Sequence, residues 1–282
     1  MNKRKIILLA VSLCMVAILA VGGTLAYFTD TDDAVNVFTV GNIKIEQYEQ
    51  QRDGNGGWED FEQNQKLFPI VNDGKDENGY HTGKNYIDKI VTVKNTGTED
   101  AYIRTHIAVP HVLDDGADTY MASDNILHWN GASANDTFGL ANSGELDNDW
   151  YWDATMTKDW PGNGGAWHSY ETTVTTGEGE NAKTVKYTVY VATHKAIVEP
   201  DKTTSPNLFG VYLDAGVDYN PDTDKYIDQK GNEFTFPDPI QILVVSEAVQ
   251  AAGFDNAVQA LNQAFGEPGI DGDPWNGYKK AN

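Results

Sequence analysis

The sequence predicts a mainly β protein: an antiparallel β-sandwich with long loops and one short C-terminal helix. Three observations carry this. Runs of alternating apolar and polar residues recur along the chain and stop at Gly, Pro, Asn or Asp. Glycine (27 residues) and aromatic side chains (11%) are plentiful, as turns and pleated surfaces favour. One segment alone, near residue 260, repeats apolar residues at helical spacing. With 40% hydrophobic residues in 282, the chain can bury one large core, and a single domain is expected over residues 27–267.

The elements follow in order. Around Gly41, Val35 alternates with Val37 and Ile43 with Ile45, which predicts strands within Val35–Glu49. Residues 50–85 are rich in Gly, Asn and Asp and read as a loop insertion anchored by Trp58, Phe61, Leu67, Phe68 and Ile70. Ile87–Lys94 reads as a strand and Asn95-Thr96-Gly97 as a turn. In Ala101–Val109 the odd positions form one face and Tyr102, Arg104, His106 and Ala108 the other; Pro110 is expected to end it. Residues 111–170 form a second, aromatic insertion. Thr172–Thr176 and Thr184–Val198 predict a hairpin, and residues 208–217 and Ile240–Val245 two further strands. Asp255–Phe265 predicts the helix, with Val258, Leu261 and Phe265 on one stripe, Asp255 as cap and Gly266 as stop. Residues 268–282 read as a loose acidic tail.

The N-terminus has a different character. Lys3, Arg4 and Lys5 precede an apolar run, Ile6–Val21, broken only by Ser12 and Cys14. Gly22-Gly23 then weakens a helix, and Thr24-Leu25-Ala26 ends on a small residue. A basic start, a short apolar run and a small-residue site predict a signal peptide over residues 1–26, cut between Ala26 and Tyr27. The run is short for a membrane-spanning helix, so contact with a membrane is expected only through the uncleaved segment. Cys14 is the single cysteine, so the cleaved chain would hold no disulfide and no thiolate nucleophile.

Gly22-Gly23-Thr24-Leu25-Ala26-Tyr27-Phe28-Thr29-Asp30 resembles the signal segment cut by SipW-type signal peptidases. Beyond the cut, Phe28, Asp30, Asn36, Phe38, Gly41 and Ile43 follow the pattern F-x-D-x5-N-x-F-x2-G-x-I. These residues resemble the start of the TasA/camelysin family of secreted biofilm-matrix proteins. A weaker echo lies at Lys89–Val109. The resemblance implies a jelly-roll form of the sandwich and an extracellular or cell-surface location. It also implies fibre assembly by donation of the new N-terminal strand, residues 27–38, to a neighbouring copy. Phe28, Val35, Val37 and Phe38 would be the anchors. The implied partners are further copies of the chain, other matrix or cell-surface proteins, and a SipW-type peptidase.

Camelysin carries the name of a metallopeptidase, so zinc chemistry is the competing expectation. The six histidines are His81, His106, His111, His128, His168 and His194. None lies in H-E-x-x-H and no pair has i, i+4 spacing, so no zinc motif supports an enzyme. His106 reads as an ordinary strand residue. No G-x-S-x-G elbow is present, and Gly162-Asn163-Gly164-Gly165 lacks the Lys-Ser/Thr of a phosphate loop. No cofactor is expected beyond calcium, for which Asp114, Asp115 and Asp118, and Asp222 and Asp224, are candidates in oxygen-rich turns. The calcium loop of an EF-hand is absent: counted from Asp222, its glycine position holds Ile227. Trp150 and Trp152 offer two readings, a platform for stacking a glycan in an adhesin and a structural cover for the sandwich end.

Beyond residue 26 the chain carries 17 Lys and Arg against 42 Asp and Glu, a net charge of −25. Such a body is repelled by nucleic acid and by anionic headgroups, and no nucleic-acid partner is expected.

Overall fold

The computed structural model describes residues 29–32, 42–55, 57–71, 85–114, 125–130, 149–155, 167–176 and 182–275. The predicted signal segment, its expected cleavage site at Ala26 and Tyr27, and the expected anchors Phe28, Val35, Val37 and Phe38 lie outside them.

The described residues are mainly β, in two larger antiparallel sheets and a small one. The strands are β1 (Thr29–Asp32), β2 (Ile45–Arg52), β3 (Trp58–Asp60), β4 (Ile87–Asn95), β5 (Ala101–Pro110), β6 (Leu127–Trp129) and β7 (Trp150–Tyr151). They continue as β8 (Ser169–Thr176), β9 (Lys183–His194), β10 (Leu208–Leu213), β11 (Asp218–Asn220), β12 (Lys225–Ile227), β13 (Glu233–Phe234) and β14 (Leu243–Gln250). One helix, α1 (Ala257–Phe265), follows.

The first sheet has the order β1-β14-β5-β9-β7, with β8 also on β9; the second has the order β3-β2-β4-β10-β6. β11, β12 and β13 form the third. Among the described strands β2–β4 stay in the second sheet and β7–β9 in the first, while the chain changes sheet after β1, β4, β5, β6 and β9 and again between β10 and β14. The first described strand pairs with the last. This interleaving is that of a jelly-roll-like sandwich.

One apolar core joins the two sheets. Ile45, Ile87, Val91 and Val93 of the second sheet meet Ile103, Ile107, Val109, Ala192, Val244 and Ala248 of the first. Polar groups cross the same gap with their partners in place: Ser246 Oγ donates to Gln47 Oε1 (2.8 Å), and Gln47 Nε2 to the Val244 carbonyl (3.2 Å). A buried hydroxyl without such a partner would cost about 1–3 kcal/mol.

The alternation in β5 has the predicted register, but all ten of its residues are buried. Odd positions face the shared core. On the other side Tyr102 packs with Ala257, Ala260 and Leu261 of α1, and Ala108 with a cluster that contains Trp275. Residues 268–275 therefore correct the reading of a loose tail: Trp275 is 3% exposed and covers the outer face of the first sheet. Pro110 ends β5 from within, as the residue paired with Tyr187.

The cap of α1 lies one residue later than predicted. Asn256 is its cap, accepting the Gln259 N–H through its side chain (2.9 Å). Gly266 ends it at φ 84°, in the left-handed region that favours glycine, and its N–H reaches the Asn262 carbonyl. The buried stripe is Ala257, Ala260 and Leu261, because small side chains let the helix lie close on β5 and β14. Gly210 marks an irregularity in the pairing of β10 with β4, where a Cβ would lie 2.3 Å from the Tyr86 hydroxyl.

Candidate functional site

The N-terminal edge of the first sheet is the candidate site. β14 lies between β5 and β1. On one side it pairs with β5 over eight positions, from Leu243↔Ala108 to Gln250↔Ala101. On the other, β1 covers only four: Thr29↔Val249, Asp30↔Ala248, Thr31↔Glu247 and Asp32↔Ser246. β1 reads Thr-Asp-Thr-Asp and has no apolar period of its own. A strand polar at every position is weakly specified in register.

β14 itself is held from both faces. Toward the shared core, Ser246 bonds Thr105 Oγ1 (2.9 Å) as well as Gln47, and Asn207 Nδ2 donates to the same Thr105 hydroxyl (3.1 Å). Toward the helix, Glu247 accepts from Arg104 Nε (2.8 Å) and Nη2 (2.6 Å), and Val249 packs with α1. Arg104 also donates to Asn262 Oδ1 (2.8 Å) and to the Gly266 carbonyl (3.3 Å), which ties strand to helix.

His106 completes this buried charge group. Its Nε2 lies 3.1 Å from Glu247 Oε2 and its Nδ1 3.2 Å from the Tyr170 hydroxyl. With Nε2 protonated, the ring donates to the carboxylate and accepts from tyrosine. Burial pushes His106 below its ordinary value and the Arg104 cation adds to this, against the pull of Glu247. Burial alone would push the Glu247 carboxyl up; His106 and Arg104 outweigh it and hold it low. The consistent state is a neutral His106 beside an Arg104–Glu247 ion pair. His168, nearby, is pushed down to about 4, first by burial and then by Arg104 and His106. Through these bonds the group ties β5, β14 and α1 together as a structural clamp.

Arg104, His106, Glu247 and Asn262 were not singled out by site motifs in the sequence. For Arg104, His106 and Glu247 the signal is nevertheless visible: ionisable side chains at the centre of two largely apolar strands. A charge at such a place must be paired.

Other predicted site residues fall elsewhere. Trp150 and Trp152 are both 0% exposed, which corrects the glycan platform. Trp152 tilts against Trp129 (centroids 5.4 Å) and meets Trp167 edge-on (5.6 Å), and Trp150 Nε1 donates to Ser205 Oγ (3.1 Å). These rings fill the sandwich because rings of that size bury much apolar surface. Asp114 is also buried, and its carboxylate accepts from Tyr190 Oη (2.7 Å) and Trp129 Nε1 (3.3 Å). It is a core acceptor facing two ring donors, which corrects its reading as part of an open calcium loop. Asp115 and Asp118 lie outside the described residues. Asp222 and Asp224 sit in the exposed turn between β11 and β12. There Asn220 Oδ1 accepts the Asp222 N–H (3.0 Å), and Asp224 Oδ1 accepts the Tyr219 hydroxyl (2.6 Å). Among the described residues no three His, Cys, Asp or Glu are grouped to hold a metal ion.

Comparison of the chain with known protein families, with curated proteins and with solved structures yields no match.

Proposed function

We propose that the chain is a secreted, non-enzymatic matrix or surface protein that assembles by exchanging its N-terminal strand between copies. One observation supports this above the others. The free edge of a firmly anchored β14 is closed by a four-residue polar strand that would stand near the mature N-terminus.

The physical argument is short. An uncovered β14 edge presents unpaired N–H and C=O groups at Ser246–Val249 and templates pairing with any extended chain. β1 of the same copy and β1 of a neighbour offer the same ladder and register. Intramolecular pairing is favoured by an effective concentration of about millimolar. Exchange becomes competitive when copies are crowded, as in a matrix. Donation from one copy to the next is head-to-tail and continues into a filament. Cleavage after Ala26 would release the donor strand, so export would permit assembly. Repulsion between bodies of net charge −25 would make assembly rise with ionic strength.

The test is electron microscopy of two purified chains, residues 27–282 and residues 39–282. The longer chain is expected to form filaments at raised salt, and the shorter one, which lacks β1, to remain unassembled. Filaments of equal abundance from both would refute strand exchange.

A further inference from the structure

We infer that a groove at one mouth of the sandwich binds a neutral saccharide. This is independent of strand exchange and uses none of the residues of the β14 edge. The groove encloses about 710 Å³, within the range of ligand sites. It is lined by Ile87, Val211 and Leu213, which belong to the shared core, and by the segment 236–242 that leads into β14.

Three aromatic rings stand exposed on the lining: Phe68 (52%), Tyr219 (46%) and Tyr226 (38%). Exposed aromatic side chains gathered at one cleft mark a contact surface. Tyr226 is held in place before any ligand arrives. It meets Phe236 edge-on (4.6 Å, 70°) and Tyr219 edge-on (5.5 Å, 62°). A fixed ring binds with little loss of side-chain freedom.

The polar part of the lining selects the ligand. Gln63, Asn64 and Gln241 line the groove and bring side-chain amides to it. Amides donate and accept at once, which matches hydroxyl groups. Lys89, the groove's cation, is engaged: its Nζ lies 2.6 Å from Glu49 Oε2 and 4.4 Å from the Phe61 ring centroid. Asp218 and Asp238 line the same space, and the chain is strongly acidic. An anionic polymer is therefore repelled. An apolar ring face to stack, hydroxyls to bond and no negative charge describe a neutral hexose or N-acetylhexosamine polymer.

The test is titration of the chain from Tyr27 onward with cellohexaose and with the hexamer of N-acetylglucosamine, read by amide NMR shifts. Saturable shifts are expected at residues 219 and 226 with at least one of the two sugars, and the responding sugar identifies the polymer. Tyr226→Ala is expected to weaken binding about tenfold, while Tyr226→Phe stays near wild type. Gln241→Ala, a part-exposed site, gives a second reading should Tyr226→Ala unfold; it is expected to weaken binding about threefold. No shift with either sugar at millimolar concentration would overturn the inference, as would wild-type affinity in both alanine variants. Oligogalacturonate binding as tightly as the neutral sugars would overturn it too.

Discussion

Replacing Arg104 by methionine removes the cation that neutralises Glu247 while keeping most of the side-chain volume. Both side chains are almost fully buried, at 3% and 4% exposure. The variant loses two charge-assisted hydrogen bonds to Glu247 and the links to Asn262 and Gly266. Breaking a buried pair from one side costs about 3–5 kcal/mol. The stranded carboxylate limits this by taking a proton. From its ordinary 4.5, protonation at pH 7 costs about 3.4 kcal/mol. His106 taking the proton instead acts in the same direction. The expected loss is therefore about 3–4 kcal/mol at pH 7, a fall in Tm of about 10 °C, and less at pH 5. Denaturant titrations of both proteins at the two pH values measure it. Glu247→Gln placed on the variant should restore part of the loss, because it removes the stranded charge. A loss under about 1 kcal/mol at pH 7, or one that does not shrink at pH 5, would refute the clamp.

Two further outcomes are expected. Trp275→Ala should cost about 3–5 kcal/mol in denaturant titration, because the ring is 3% exposed against Ala108, Val174 and Tyr187. Ile270→Ala, in the same segment but 76% exposed, should change stability by less than about 0.5 kcal/mol; a small loss at Trp275 would restore the loose tail. Acid should destabilise the fold through histidines held neutral. His106, His168 and His194 are all depressed, chiefly by burial, so the unfolded chain takes protons first as pH falls below 6.5. Their stabilisation is complete above that pH and is lost on the way down, for His168 toward about 4, a share of up to about 3 kcal/mol. Melting of wild type and His168→Gln at pH 7 and 4.5 checks this: the variant should lose less Tm between them, and parallel losses would contradict the assignment.

The sheets were largely legible in the sequence because alternation marks long strands well. β4, β5, β9 and β10 begin within a residue of the predicted runs. β14 runs later than Ile240–Val245 implied, to Gln250, because Ser246 and Glu247 look like a polar end but bond inside the fold. β3 lies within the predicted first insertion, and β6 and β7 within the second. Strands of two or three residues carry too little period to read. The tryptophans admitted two readings until their neighbours were known. The covering of β5 on its second face depends on Trp275 and α1, far along the chain, and no local pattern announces it. The site follows the same logic. Strand donation came from a resemblance at residues 20–48, whereas the clamp behind β14 needed the pairing of Arg104 with Glu247, 143 residues apart.

Strand exchange is tested most directly by a cysteine pair across β1 and β14. Asp30 and Ala248 are register partners, and the sole native cysteine, Cys14, precedes residue 27, where the tested chain begins. Asp30→Cys with Ala248→Cys, oxidised as dilute monomer, should close within one chain and abolish filaments. Oxidised after assembly, the same protein should give a ladder of disulfide-linked multimers on a non-reducing gel. Filaments whose disulfides all close within single chains would contradict exchange and place the contacts between copies elsewhere.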